Sequence, residues 1–294
     1  MPREPWKTIH AVVLGVGCLG LTVASAEELQ GTLQIKGSDT MVNLAQAWAE
    51  AFMTTHPKVF VAVTGGGSGT GIASLIAGTC DLAATSRQMK AKELELATAQ
   101  GASPQEWTVG LDGLAVVVHP DNPVRRLTLS QLADLFTGTL RTWRDLGGRD
   151  EPVVILSREV NSGTHVYFKE HVLGVSAEGQ TREFAPDALL LPSSQAIADE
   201  VAANRVAIGY YGMGYLNPRN VTVAVARTAE GPYVLPSEET VRAGAYPISR
   251  PLFLYTRIPP QGATKAFLDF ALSLEGQRLV RQEAFVPIAQ RGQP

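Results

Sequence analysis

The chain has 294 residues, 45% of them hydrophobic and 18% charged, and a formal net charge of −3. This is the composition of a folded globular protein long enough for one large or two medium domains, and it excludes a disordered chain. The acidic balance does not suit a nucleic acid or an anionic membrane as partner, so an anionic ligand has to be held by local donors.

In chain order, Met1 to Ala26 places Arg3 and Lys7 before an apolar segment from Ala11 to Val23 and ends on Ala24-Ser25-Ala26. That layout predicts a secretory signal, residues 1–26, cleaved after Ala26, because the apolar part is too short to span a bilayer comfortably. An alternative is a lipid anchor at Cys18, although Gly15 stands where a lipobox carries a bulky aliphatic residue. The exported protein then keeps one cysteine, Cys80, so it has no internal disulfide, and that thiol is expected to be buried and inert.

After the signal, short strands and helices alternate as in a parallel-sheet α/β domain. Leu33 to Ile35 reads as a strand, and Gly37-Ser38-Asp39-Thr40 opens a helix with apolar positions Met41, Leu44, Trp48 and Phe52. The pattern recurs at Val59 to Val63, where a glycine-rich turn from Gly65 to Gly71 carries Ser68 and leads to Ile72, Leu75 and Ile76. It recurs again at Asp81 to Ala84, followed by Thr85-Ser86-Arg87 and a helix from Lys92 to Gln100. Gly110 to Gly113 leads into Leu114 to Val118, a continuous apolar run suited to a strand buried on both faces. His119 to Pro123 stops it. A first crossing between two domains is expected near Asp112.

The second unit contains a helix from Leu129 to Phe136, capped by Ser130 or Thr128, and a loop rich in Gly, Arg and Trp from Gly138 to Arg149. The strand Val153 to Leu156 then ends on Ser157-Arg158-Glu159-Val160-Asn161-Ser162-Gly163-Thr164 before a helix beginning near His165. Another helix, Ser194 to Ala203, precedes the apolar Val206 to Ile208. Gly209 to Tyr215 suits a return crossing, with glycines for mobility and tyrosines for packing. Pro251 to Tyr255 as strand and Thr264 to Leu274 as helix rejoin the first unit. The expected domains are therefore 27–112 with 215–294, and 113–214.

Each strand-to-helix turn leaves hydroxyls and unpaired backbone N–H groups at a helix start, where the positive end of the helix attracts a small anion. In open α/β sheets such turns gather outside the carboxyl ends of the strands. Arg158 adds a planar fork of charged donors that matches two oxygens of a tetrahedral oxyanion.

Taken together, Gly37-Ser38-Asp39-Thr40, Gly67-Ser68-Gly69-Thr70-Gly71, Ser86-Arg87, Asp112-Gly113, Phe136-Thr137-Gly138, Arg158 through Thr164 and Ile208-Gly209-Tyr210 resemble the phosphate-binding proteins of high-affinity phosphate ABC transporters, over nearly all of the chain after the signal. The resemblance implies a two-lobed α/β periplasmic-binding-protein fold, type II-like, hinged between its domains. It implies a non-enzymatic, monomeric receptor that captures inorganic phosphate and delivers it to the permease subunits of the transporter, without a cofactor or metal. Ser38, Asp39, Thr40, Met41 and Ser68 would supply ligand contacts from the first domain, and Arg158, Ser162, Gly163 and Thr164 from the second, with Ser86 and Arg87 beside them. Some members carry an aspartate directly after the serine that is Ser86 here, and it accepts the proton of hydrogen phosphate. Arg87 stands in that place, so Asp112, oriented by Arg87, is expected to be the acceptor; the alternative is a purely structural Asp112–Arg87 ion pair.

Hydrogen bonds to a charged group contribute about 1.5–3 kcal/mol each, and micromolar binding needs roughly 8 kcal/mol, so several such bonds suffice. The rival readings are another tetrahedral oxyanion such as sulfate or molybdate, a phosphate sensor, and a serine hydrolase or phosphatase using Ser68 or Ser162. The hydrolase reading lacks a complete Gly-x-Ser-x-Gly turn and an orienting acid near His165 or His171.

Overall fold

Alternating burial builds the first strand: Leu33 and Ile35 of β1 (Gly31–Gly37) point into the core while Gln34 and Lys36 are half-buried. A 3-10 turn over Asp39–Met41 leads into α1 (Val42–Thr55), so the helix begins one turn later than its glycine-serine start suggests. The expected apolar positions Met41, Leu44, Trp48 and Phe52 are all completely buried. Next come β2 (Val59–Thr64), α2 (Ser68–Ile76), β3 (Leu82–Thr85) and α3 (Ala91–Ala99), followed by the long β4 (Gln105–Val118).

The chain continues through β5 (Arg126–Thr128), α4 (Leu129–Phe136), β6 (Val154–Arg158), α5 (Gly163–Phe168), β7 (Leu189–Leu191), α6 (Ser194–Ala203) and β8 (Ala207–Gly212). It closes with β9 (Val221–Thr222), β10 (Ala224–Ala226), α7 (Glu238–Arg242), β11 (Ser249–Thr256), α8 (Gly262–Leu272) and α9 (Leu274–Gln282). This computed structural model describes residues 1, 2, 29–174 and 181–288. The expected signal segment from residue 3, with Cys18 and the cleavage position after Ala26, lies outside the described residues.

The strands form one mixed, curled sheet in the order β2-β1-β3-β11-β4-β8-β6-β7, with β9 on β4, and β5 pairs with β10 in a separate parallel ribbon. β1 is parallel to β2 and β3, whereas β11 runs antiparallel between β3 and β4. β4 joins two halves of the molecule. Through Gly113 it pairs with β11, and from Leu114 onward it pairs with β8, whose other neighbour is β6. Where the sequence starts a strand at Leu114, the strand already runs from Gln105 and is 14 residues long, because β11 pairs with its first part and β8 takes over from Leu114.

Two further local differences have plain causes. The last helix breaks at Ser273, whose hydroxyl accepts the Gly276 N–H and starts α9 as its N-cap. Thr128, not Ser130, caps α4, in a reciprocal box with Gln131. Beyond α5 the chain loosens into one π-helical stretch, Lys169–Leu173. Behind it Phe168 stacks on Tyr210 at 3.8 Å, with Phe136 edge-on at 4.7 Å from Phe168, and this fixes the second half's core. Gly37, with φ +139°, sits so near β3 that a Cβ would lie 2.2 Å from the Ala84 carbonyl oxygen. The first serine turn is thereby held tight against the sheet.

Candidate functional site

Four of the turns singled out by sequence meet in one buried cluster. Ser38 Oγ donates to Ser86 Oγ at 3.1 Å, and Ser68 Oγ lies 3.3 Å from the same oxygen while accepting the Ser86 N–H at 3.0 Å. The Thr40 and Thr164 hydroxyls are 2.9 Å apart. Thr40 follows β1 and Thr164 follows β6, so this contact joins the two halves of the sheet across 124 residues of chain. Ser38, Thr40, Ser68, Ser86, Ser162 and Thr164 are all at most 3% exposed.

Gly163 lets the halves approach. A Cβ there would stand 2.3 Å from Ser68 Oγ and 2.7 Å from Ser86 Oγ. Next to it, Asn161 completes a bridge of polar contacts: its carbonyl accepts the Gly69 N–H at 3.0 Å and its side-chain amide donates to the Gly66 carbonyl at 2.8 Å. Ser162 caps α5, its hydroxyl accepting from the Thr164 and His165 N–H groups. Met41 is fully buried, with its N–H donating to the Ser38 carbonyl at 3.0 Å.

Arg158 is 1% exposed and surrounded by acceptors: Leu191 O, Pro192 O, Ser194 Oγ and, at 3.1 Å, Asp39 Oδ2. The Asp39 carboxylate also accepts the Ser194 N–H at the start of α6. Asp39, expected among the ligand contacts, thus serves as the counter-charge of Arg158. Burial pulls the Arg158 pKa down, against the Asp39 carboxylate.

The expected coupling of Asp112 to Arg87, whether as an orienting contact or as an ion pair, is not what forms. Arg87 is clamped by Glu93, with both terminal nitrogens on its carboxylate at 2.8 and 2.7 Å. Burial pushes the Glu93 carboxyl up, but the Arg87 hydrogen bonds, the Lys90 backbone N–H and the charges of both residues together hold the group below its ordinary range. Asp112 pairs instead with Arg250 of β11, at 3.0 Å to Nε and 2.8 Å to Nη2, and its other oxygen accepts the Met213 N–H at 3.0 Å. The pair is 1% and 0% exposed. Burial raises the Asp112 pKa against the lowering by Arg250.

Arg250 is the residue that sequence reasoning missed. It donates from Nη2 to Thr164 Oγ1 at 3.0 Å and to Thr40 Oγ1 at 3.4 Å, and from Nη1 to the Ser86 carbonyl at 3.1 Å. A signal existed. An arginine in the otherwise apolar strand Pro251-Leu252-Phe253-Leu254-Tyr255 needs a buried partner, and Asp112 is a carboxylate at the start of another apolar run. A cavity of about 400 Å³ lined by Ser86, Arg87, Lys90, Tyr167, His171 and Arg250 adjoins the cluster, sharing Ser86 and Arg250 with it. Cys80 is buried elsewhere, its thiol pushed up to about 11 mainly by burial, which leaves it unreactive. No group of three or more metal-ligating side chains occurs among the described residues.

A curled α/β sheet in two halves, with hydroxyls and buried guanidinium groups gathered between them, is the construction of two-lobed binding proteins. Residues 22–275 match the model of the PBP superfamily domain. A phosphate-binding protein PstS of Pseudomonas aeruginosa is 32% identical over 94% of this chain and 92% of its own length, and a Bacillus subtilis PstS is 31% identical over 89% and 82%. Among solved structures, a Clostridium perfringens protein described as a phosphate ABC transporter substrate-binding protein, with bound phosphate, superposes with TM-score 0.78 at 32% identity, covering 88% of this chain and all of its own. A Vibrio cholerae ABC-type phosphate transport receptor gives TM-score 0.70 at 27% identity, over 88% and 100%. The chain belongs to the PBP superfamily and, within it, to the family of PstS-like phosphate-binding proteins.

Proposed function

We propose that this protein is an extracytoplasmic receptor that closes two lobes, 27–112 with 215–294 and 113–214, on one inorganic phosphate ion and delivers it to an ABC permease. The observation that carries the reading is the contact between Thr40 and Thr164 beside the linked hydroxyls of Ser38, Ser68 and Ser86, with buried Arg250 donating to both threonines and buried Arg158 paired with Asp39, the neighbour of Thr40. Hydroxyls and guanidinium N–H groups are donors that a tetrahedral oxyanion satisfies on every face. Ser38, Thr40, Ser68, Ser86, Ser162, Gly163, Thr164 and Arg158 form the ligand shell in this reading, with Met41 behind it. Asp112 is the carboxylate within the cluster, and Asp39 and Arg87 support the walls.

Neither a cofactor nor turnover enters the reading. Ser68 and Ser162 are committed to Ser86 and to the α5 cap, and among the described residues no histidine ring or carboxylate is hydrogen-bonded to either hydroxyl. Export by a signal cleaved after Ala26, a monomeric state and docking on the permease complete the proposal. Isothermal titration with phosphate and sulfate tests it. Saturable one-to-one phosphate binding, tighter than sulfate, with no product from p-nitrophenyl phosphate, supports a phosphate receptor. Preferential sulfate binding overturns the ligand assignment, and release of nitrophenol overturns the non-enzymatic one.

A further inference from the structure

Two guanidinium groups lie beside the hydroxyl cluster, and they are used differently. Arg158 directs four of its five N–H hydrogens to Leu191, Pro192, Ser194 and Asp39, protein acceptors around α6 and the first serine turn, and keeps one on Nη2. Arg250 instead donates from one nitrogen, Nη2, to the hydroxyls of Thr40 and Thr164, one from each half of the sheet. It also lines, with Ser86, the adjoining cavity of about 400 Å³.

An arginine can only donate. Its bonds therefore occupy lone pairs on the two threonine oxygens and turn their hydrogens away from it. With the oxygens 2.9 Å apart, one hydrogen bridges the pair and the other is left for a ligand. Nη1 has two hydrogens, and the Ser86 carbonyl takes one of them. Asp112 lies behind the guanidinium, holding Nε and Nη2 by one oxygen and the Met213 N–H by the other. Met213 directly follows β8.

We propose that Arg250 is the second cation of the oxyanion site, setting the Thr40 and Thr164 hydroxyls as donors, and that Asp112 acts on the ligand through Arg250, not by accepting its proton. The inference rests on the phosphate reading above and names two of that site's specificity residues. Asp112 is a positioning residue in this scheme. It fixes the plane of the guanidinium and ties it to the backbone at Met213.

The test is calorimetric titration of phosphate and sulfate into the wild type, Arg250→Lys, Asp112→Asn and the double variant Arg250→Met with Asp112→Asn, each with a thermal melt. The double variant removes both buried charges together, so neither is left unpaired. Losing a charged donor is expected to weaken phosphate binding roughly 10- to 100-fold in the double variant, with the lysine variant in between. Asp112→Asn is expected to move phosphate and sulfate affinities in the same direction, leaving their ratio unchanged. Wild-type phosphate affinity in a folded double variant overturns the role of Arg250. A phosphate-to-sulfate ratio that collapses in Asp112→Asn but holds in Arg250→Lys overturns the role given to Asp112 and restores it as proton acceptor. Wild-type protein that binds no phosphate is a separate failure, which sinks the phosphate reading itself.

Discussion

Gly163 sits where the halves meet, and a Cβ there would crowd the hydroxyls of Ser68 and Ser86. Gly163→Ala is expected to keep the fold, because the clash is with serine hydroxyls of the other half and not with the core of its own, and to weaken phosphate binding roughly 10- to 100-fold, which titration calorimetry reads. His165, two residues on, gives a pH dependence. Its ring meets Ser157 Oγ at 3.2 Å, and burial lowers its pKa below 6.5 against a raising contact from the Arg158 backbone. The unfolded chain therefore binds the proton more readily. Stability tied to the neutral ring is complete above about pH 6.5 and is lost as pH falls below it. Thermal melts from pH 8 to 5 should show a shallower acid decline in His165→Gln than in the wild type. At this scale, serine and threonine turns were legible because hydroxyls next to glycines at helix starts have a local signature. Arg250 was not, because its partners Asp112, Thr40 and Thr164 lie 138, 210 and 86 residues away. The choice between Arg87 and Arg250 as partner of Asp112 depends on which strand lies beside β4.

Elements were legible where one period ran unbroken. α1 and α4 carry their apolar faces at helical spacing, and β3 and the second half of β4 are continuous apolar runs. What escaped were elements defined by pairing alone. The two-residue β9 and the three-residue β5, β7 and β10 have no period of their own and exist because a neighbour supplies their hydrogen bonds. The division between α8 and α9 escaped for another reason: Ser273 is both the end of one helix and the cap of the next. A cap is also the simplest element-scale test. Thr128→Ala removes the acceptor for the Gln131 N–H at 3.1 Å and is expected to cost about 1 kcal/mol of stability, read by denaturant unfolding. Phosphate affinity should stay at the wild-type value, since α4 packs in the second half's core and its cap touches none of the site hydroxyls.

For the whole molecule, the mixed sheet makes the site possible because β4 belongs to both halves and carries Asp112 at the place where its partner changes from β11 to β8. One apolar core runs through both halves, but at the site they meet through polar contacts: Thr40 with Thr164, Asn161 with Gly66 and Gly69, and Asp39 with Arg158 and Ser194. An apolar seam at the site would stay shut whether or not a ligand were present, whereas hydroxyls and charges there can exchange their mutual bonds for bonds to an oxyanion. The order of motifs along the chain made this architecture readable through its family resemblance. The sheet order itself, with β11 inserted antiparallel between β3 and β4, was outside the reach of any local pattern. The most direct measurement is a crystal structure of the protein saturated with phosphate. It should show one anion among the hydroxyls of Thr40, Ser68 and Thr164, with the guanidinium of Arg250 facing it. An anion bound only on the outer surface, with those hydroxyls still bonded to one another, would contradict capture between the lobes.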